Sequence, residues 1–202
     1  AEYPEMFEKA LGMHLKEVKN QEIYDLMVGG EKIARINTIK VGGGSKMPAA
    51  VQQGSIDMGF GGAPAQAFTI DKGLDAKIIA PLQTEGDMLV MSLASKCEAD
   101  SWQAWVKWLN ARQEPVKIGY KAPVAVAKLI FVNALKEEGI KFSDPDAIED
   151  DTKVILVNLR SGKNMIPSIQ KGAVDGVVMN QPIPAKIVHK KLGRVICELA
   201  DL

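Results

Sequence analysis

The sequence predicts an α/β fold made of two similar βαβ lobes joined by hinge strands, and three observations lead to this prediction. Segments with the period of a strand alternate with segments with the period of a helix along the 202-residue chain, which is typical of parallel βαβ units. Several of the predicted helices end at a glycine, a common helix stop signal. Residues 47–64 also resemble residues 165–182, so the same unit occurs once in each half.

The elements predicted for the first half follow from these periods. Phe7, Leu11 and Leu15 lie at helical spacing, and residues 34–41 alternate like a strand. Two short helical segments each end at a glycine, and an apolar run typical of a buried strand follows each of them. In chain order, the predictions are a helix at 6–15, a strand at 34–41, a helix at 47–54, a strand at 55–60, a helix at 64–73 and a strand at 76–83.

The second half is predicted in the same way. Trp102, Trp105 and Leu109 lie at helical spacing, which predicts an amphipathic helix packed on a sheet, with an aromatic ligand platform as the alternative. In chain order, the predictions are a strand at 87–95, a helix at 101–110, a strand at 116–120, a helix at 124–139, a strand at 153–159, a second copy of the helix–strand–helix unit at 164–187 and a strand at 194–199.

The internal repeat favours a division into two lobes. Gly54 and Pro64 correspond to Gly172 and Pro182 at one constant offset, together with a series of apolar positions. The alternative is the generic similarity of any two βαβ units. Two facing lobes direct strand carboxyl ends and helix amino ends toward a shared cleft, where α/β sheets bind ligands. We expect lobe 1 at residues 1–90, lobe 2 at residues 91–196 and a return toward lobe 1 at residues 197–202.

Composition excludes some partners and cofactors. Lysine and arginine together number 25, as do aspartate and glutamate, so charge gives no reason to expect nucleic acid or an anionic membrane surface as a partner. No apolar run approaches the length that spans a bilayer. The two cysteines and two histidines lack metal-ligand spacing, and no nucleophile–base arrangement stands out. We therefore predict no metal, no cofactor and no catalytic residues.

Two long stretches carry a resemblance to a known family. "KMPAAVQQGSIDMGFGGAPAQAFTIDKG" followed by "AKIIAPL" resembles the first lobe of the periplasmic solute-binding proteins of ABC importers in the nitrate, sulfonate, taurine and thiamine-precursor group. "VKIGYKAPVAVAKLIFVNALKEEGI" and "VILVNLRSGKNMIPSIQKGAVDGVVMNQPIPAKI" resemble the second lobe. The resemblance implies the type II periplasmic-binding fold, truncated at both ends, and the chain is expected to be either a fragment of a longer protein or a reduced member of the family.

The resemblance also implies a function. It predicts an extracytoplasmic protein, periplasmic or extracellular, that captures a small solute and delivers it to an ABC transporter permease, with a removed N-terminal segment as the candidate membrane tether. Two alternatives stay open: an enzyme of the thiamine-pyrimidine-synthase type on the same fold, and a cytosolic ligand-sensing domain. The cysteine-rich motif of that enzyme is absent, and no helix-turn-helix of a sensor is visible.

The predicted site lies where helices begin and strands end. The glycine-rich turns at 42–45 and 61–64 precede helices, whose amino ends favour anions; the alternative is that they only form tight turns. Arg160 follows a predicted strand and is expected to clamp an anion, unless it is an ordinary surface residue. Gln181 replaces the family's usual glutamate, so the ligand is expected to be a small anion or zwitterion. The predicted ligand-binding residues are Gly44, Ser45, Gly62, Ala63, Lys121, Ala122, Arg160, Asn180 and Gln181.

The hinge is predicted from the same resemblance. In the family the chain crosses from one lobe to the other and later returns, and here the crossings correspond to residues 87–95 and 194–202. Two such strands absorb domain closure around a ligand. Cys97 and Cys197 lie at these crossings, so a disulfide between them is one alternative, and two free thiols are the one that we favour.

Overall fold

The computed structural model describes residues 12–42, 46–81 and 85–202, and its strands form two separate sheets. One is a three-stranded sheet in the first half of the chain, and the other is a six-stranded sheet in the second half. The strands are β1 (Met13–Lys19), β2 (Ile23–Val28), β3 (Glu31–Asn37), β4 (Asp87–Ser92), β5 (Val116–Tyr120), β6 (Phe142–Ser143), β7 (Val154–Asn158), β8 (Gly176–Asn180) and β9 (Gly193–Glu198).

Six α-helices lie within the described residues, each too short to cross a membrane. Several begin and end as the sequence predicts, with proline in the first turn and a left-handed glycine just past the last turn. The helices are α1 (Met47–Gln52), α2 (Ala63–Asp71), α3 (Trp102–Asn110), α4 (Val126–Glu137), α5 (Met165–Gln170) and α6 (Ile183–His189).

The six-stranded sheet has the strand order β6-β7-β5-β8-β4-β9. Strands β5, β6, β7 and β8 run parallel to one another, whereas β4 is antiparallel to both of its neighbours, β8 and β9. The chain leaves β5 to form β6 and β7 on one side and then returns to form β8 on the other side. This reversal of strand order at β5 is the kind of position where open α/β sheets bind ligands.

Helices cover both faces of this sheet. On one face, α3 and α4 pack with Leu89, Ile118 and Leu156 around a cluster of aromatic side chains. On the other face, α5 and α6 pack with Val90 and Val177. Alternate residues of a strand point to opposite faces, so the apolar run of β4 contributes to both layers.

The pairing of β4 with β8 depends on a glycine. A Cβ atom at Gly176 would lie 2.8 Å from the carbonyl oxygen of Val90 and 2.5 Å from the sulfur of Met91. Such contacts do not occur in real structures, so a larger residue would push the two strands apart. Gly176 therefore permits the close approach that fixes the register of Met91 opposite residue 176.

The first half differs from the prediction. Residues 13–15, predicted to end a helix, instead begin β1 of an antiparallel meander, while residues 6–11 of that helix lie outside the described residues. The predicted strand at 34–41 forms only over its first four residues, as part of β3. Asp25 of β2 ties the meander together by ion pairs with Lys32 and Arg35, at 3.0 and 2.8 Å.

Two strands predicted in the first half do not form. Residues 55–60 and 76–81 pair with no strand in the described part of the chain, and residues 82 and 83 of the second prediction lie outside it. The apolar side chains of these segments face solvent, with Phe60 68% and Ile79 75% exposed. A strand forms only where a neighbour satisfies its backbone hydrogen bonds, and an apolar run alone does not supply one. The predicted helices do form: α1 precedes residues 55–60, and α2 lies between residues 55–60 and 76–81.

The second half agrees closely with the prediction, except that the short strand β6 was not predicted and that residues 93–95 of the strand predicted at 87–95 form a 3-10 turn. The α/β fold class is confirmed. The two predicted crossing segments are neighbours, because β4 and β9 pair directly, with Leu89 opposite Cys197. Both cysteines are free thiols, in line with the alternative that we favour. The lobe boundaries and the hinge role of β4 and β9 stay predictions.

We expect Trp105 to be a major contributor to stability. Its side chain is fully buried, and its ring centroid lies 5.1 Å from that of Trp102 and 5.7 Å from that of Phe131. Trp105→Ala should lower the free energy of unfolding by about 3–5 kcal/mol, measured by urea denaturation. Trp105→Phe should cost much less, because it keeps ring contacts and removes an indole N–H that has no partner among the described residues.

The half-buried Trp108 on the same helix supplies the control for this series. Trp108→Ala should cost clearly less than Trp105→Ala, since more of its ring is already in water. Equal losses for Trp105→Phe and Trp105→Ala would contradict the assignment.

We expect the two thiols to remain protonated in the folded chain at mildly alkaline pH. Burial raises the pKa of the Cys97 thiol, and burial with the nearby Asp201 charge raises the pKa of Cys197 to about 11. Because the folded state holds these protons more tightly than the unfolded chain, this stabilisation is complete below the ordinary pKa of 9.0 and is lost as the pH rises toward 11.

Urea denaturation between pH 8 and pH 11 measures this loss. A Cys97→Ser, Cys197→Ser double variant, in which lysines and tyrosines titrate as before, should lose less stability over that range. The unreduced, denatured wild type should show two reactive thiols per chain, and finding none would establish a disulfide instead.

Candidate functional site

The carboxyl ends of three neighbouring parallel strands meet at one edge of the six-stranded sheet. Tyr120 ends β5 and lies opposite Asn158, which ends β7, and Asn180 ends β8 on the other side of β5. We call this the carboxyl edge. Five of the predicted binding residues belong to it, namely Lys121, Ala122, Arg160, Asn180 and Gln181.

Hydrogen bonds fix the turn that carries Arg160. The N–H of Leu159 donates to the carbonyl of Tyr120 at 2.9 Å, and the N–H of Arg160 donates to Oδ1 of Asn158, also at 2.9 Å. Asn164 donates from Nδ2 to the carbonyl of Leu159 at 2.7 Å. Arg160 itself has a positive φ of 62° and is exposed. The turn therefore presents an exposed arginine beside the end of β5.

Gln181 is already engaged by the fold. Its backbone N–H donates to the carbonyl of Gly86 at 3.0 Å, which extends the pairing of β8 with β4. Its side-chain Oε1 accepts from the N–H of Ala185 at 3.3 Å, in the first turn of α6, and its Nε2 lies 3.4 Å from the sulfur of Met88. Its amide thus helps to begin α6, and a direct contact with ligand stays a prediction.

The structure adds an acidic residue that the sequence analysis did not single out. Asp87, the first residue of β4, lies opposite Asn180 in the antiparallel pairing, so it belongs to the carboxyl edge. Its side chain is half-buried, and burial raises the pKa of its carboxyl, although the positive charge of Lys121 opposes this. A charged residue at the start of an otherwise apolar strand was the available signal.

Gly62 brings the first half of the chain into contact with this end of the molecule. Gly62 precedes α2, and a Cβ atom placed there would lie 3.0 Å from Cγ2 of Val126, the first residue of α4. The amino ends of α2 and α4 are therefore adjacent. Ala63 is the exposed first residue of α2. Gly44 and Ser45 lie outside the described residues, and binding by these four residues stays a prediction.

The carboxyl edge is suited to hold a small charged molecule. Lys121 and Arg160 supply positive charge, the amino ends of α2 and α4 supply backbone N–H groups, and Asp87 supplies one carboxylate. Two surface concavities of about 380 and 450 Å³ lie elsewhere, along the carboxyl half of α4 and beside β6. Within residues 12–42, 46–81 and 85–202, no cluster of three or more histidine, cysteine or acidic side chains is placed to hold a metal.

The six-stranded sheet, with four parallel strands and helices on both faces, defines an α/β domain. The model of the NMT1-like family matches residues 9–202, and the chain therefore belongs to the NMT1-like family. The uncharacterized protein MJ1180 of Methanocaldococcus jannaschii is 41% identical over 83 residues, which cover 41% of this chain and 57% of that protein.

Two solved structures share the fold. The periplasmic aliphatic sulphonate binding protein SsuA from Escherichia coli aligns with a TM-score of 0.55 and 17% identity, over 79% of this chain and 48% of that chain. The zinc-bound ligand binding component of an ABC-type import system from Staphylococcus aureus aligns with a TM-score of 0.64 and 15% identity, over 85% and 52%. The chain thus spans about half the length of these structures. The predicted resemblance to the periplasmic-binding fold is confirmed.

We expect backbone strain at Arg160 to be measurable. A non-glycine residue with a left-handed backbone costs about 1–2 kcal/mol, part of which glycine recovers before its own entropy cost. Arg160→Gly should therefore raise the free energy of unfolding by up to about 1 kcal/mol. The matched control is Lys96→Gly, which removes an exposed cation at φ 55° near the opposite end of β4.

Both glycine variants should gain similar stability in urea denaturation. A loss of more than about 1 kcal/mol for Arg160→Gly alone would instead mean that its side chain holds the fold together.

Proposed function

We propose that this chain is the binding part of an extracytoplasmic solute-binding protein that takes a small anionic or zwitterionic solute at the carboxyl edge. The observation that carries the proposal is the convergence of Lys121 and Arg160 at the ends of β5 and β7, beside the point where the strand order reverses. Open α/β sheets bind ligands at such points. Membership of the NMT1-like family agrees with this role.

The chemistry of the edge favours an anionic group on the ligand. A guanidinium group forms two parallel hydrogen bonds with a carboxylate, sulfonate or nitrate, and Arg160 is exposed and held on a fixed turn. Lys121 follows the adjacent strand and adds a second positive charge. The helix amino ends favour negative charge by about 0.3–1 kcal/mol each. Together these groups support binding without any catalytic step.

Delivery to an ABC transporter permease is part of the proposal. Two of the solved structures with this fold are, by their titles, a sulphonate-binding protein and a component of an ABC-type import system. We infer the same kind of partner here, outside the cytoplasm. Ligand closure would bend the chain at β4 and β9, which lie side by side.

An enzyme is the weaker alternative. Covalent catalysis by a cysteine needs a thiolate exposed to substrate. Cys97 and Cys197 instead pack in the aromatic cluster under α3 and α4, and burial raises the pKa of both thiols. Neither cysteine belongs to the carboxyl edge.

Binding measurements on two charge variants test the proposed function. The wild type should be screened by calorimetry with nitrate, bicarbonate, alkanesulfonates, carboxylates and their amino derivatives. Arg160→Gln should weaken the best of these ligands about 10- to 100-fold, because it removes a charged hydrogen bond worth about 1.5–3 kcal/mol. Lys121→Gln should weaken it as well.

Lys171→Gln is the matched control, since Lys171 is exposed beyond the end of α5, at the opposite edge of the sheet. It should bind as the wild type does. A cation as the tightest ligand, or full affinity in Arg160→Gln, would refute the proposed site.

A further inference from the structure

We propose that Asp87 determines ligand specificity at the carboxyl edge, where its carboxylate accepts a hydrogen bond from an ammonium or other N–H group of the solute. The inference rests on the proposed function and narrows it: the solute is a zwitterion, or an anion with a separate N–H donor, rather than a simple anion.

The position of Asp87 follows from the direction of β4. Because β4 runs antiparallel to β8, its first residue lies at the edge where β5, β7 and β8 have their last residues. Asp87 is paired with Asn180 of β8. Strand β5, which Lys121 follows, lies on the other side of β8, so two strand spacings separate Asp87 from Lys121. Adjacent strands are about 4.8 Å apart, so the backbones at Asp87 and Lys121 are separated by roughly 10 Å. This separation suits a small molecule that carries opposite charges at its two ends, and the charge of Lys121 does reach Asp87.

Among the residues that the structure describes, none pairs with the Asp87 carboxylate. In the described part of the chain no group donates a hydrogen bond to it and no cation lies within ion-pair distance, although Lys121 is close enough for its charge to be felt. Asp175, at the other edge of the same sheet, shows what a structural aspartate does here: its Oδ2 accepts from the N–H of Lys117 at 2.8 Å. Among the described residues, no backbone N–H donates to the Asp87 carboxylate in this way.

Burial makes a ligand donor favourable at this place. Burial raises the pKa of the Asp87 carboxyl, which means that the charged form is poorly compensated in the unliganded chain. A hydrogen bond from a positively charged donor stabilises a partly desolvated carboxylate more than an exposed one. A simple anion would instead bring a second negative charge toward Asp87. The same residue therefore favours zwitterions and disfavours plain anions.

Pairs of probes that differ only by an amino group test this inference. Calorimetry at pH 7.5 on the full chain should compare propionate with β-alanine, butanoate with 4-aminobutanoate, and ethanesulfonate with taurine. The wild type should bind the amino member of at least one pair 10-fold or more tightly. Asp87→Asn, which keeps the shape of the side chain, should reduce that preference about 10-fold and leave the affinity for the plain anion unchanged or higher.

Two further variants complete the test. Asp87→Ser should lose the same preference, so the result does not depend on one variant folding well, and thermal unfolding of each variant checks its fold. Asp150→Asn removes the same charge from an exposed residue that precedes β7, toward the opposite edge of the sheet, and should retain the preference. Equal affinities within every pair, or a preference that survives in Asp87→Asn, would overturn the role of Asp87 while leaving solute binding intact. Failure of all probes to bind the wild type would overturn the proposed function and this inference with it.

Discussion

The insertion of β4 between β8 and β9 is the constraint on which the rest of the structure depends. Leu89, Val90 and Met91 have no solvent exposure, and each strand neighbour is paired along nearly its full length. Full burial of such side chains stabilises by about 1.5–3 kcal/mol each. Leu89 and Met91 enter the aromatic layer under α3 and α4, whereas Val90 enters the layer under α5 and α6. One strand thus joins both halves of the core.

The direction of β4 also decides the chemistry of the carboxyl edge. Parallel strands alone would bring only the carboxyl ends of strands and the amino ends of helices to that edge, a combination that favours anions. The antiparallel strand β4 instead brings its amino end to that edge, and with it Asp87. The edge therefore carries groups of both signs from neighbouring strands, and this mixture follows from topology rather than from any local sequence motif.

The second half was predictable because its local patterns agree with its tertiary contacts. The spacing of Trp102, Trp105 and Leu109 predicts one buried helix face, and these are the three buried residues of α3. The prediction for the first half was wrong where one sequence pattern fits both a helix and a strand. Phe7, Leu11 and Leu15 fit a helix, yet Gly29 and Gly30, both with positive φ, form the two-residue turn of a hairpin, and the sequence analysis missed that signal. The apolar runs at 55–60 and 76–83 specified no strand partner.

The residues of the carboxyl edge were predictable to the same extent and for the same reason. Positions after parallel strands follow from the order of elements, which brings Lys121, Arg160 and Asn180 to one edge. Their role in binding stays a prediction. Asp87 was missed because its place depends on an antiparallel register that only the folded sheet defines. Gln181 was selected by family pattern, but its amide oxygen accepts from Ala185, a contact that spacing alone does not reveal.

Burial along the edge indicates how a zwitterion would be oriented. Arg160 is exposed, whereas Lys121 and Asp87 are half-buried. Electrostatic interactions are stronger where the side chains are partly removed from water and weaker where they are exposed. The N–H donor of the ligand would therefore lie against Asp87 of β4, and its anionic group would lie between the half-buried Lys121 and the exposed Arg160. In that orientation the contact with Asp87 discriminates between ligands, while the guanidinium group of Arg160 binds the anionic group that all of them share.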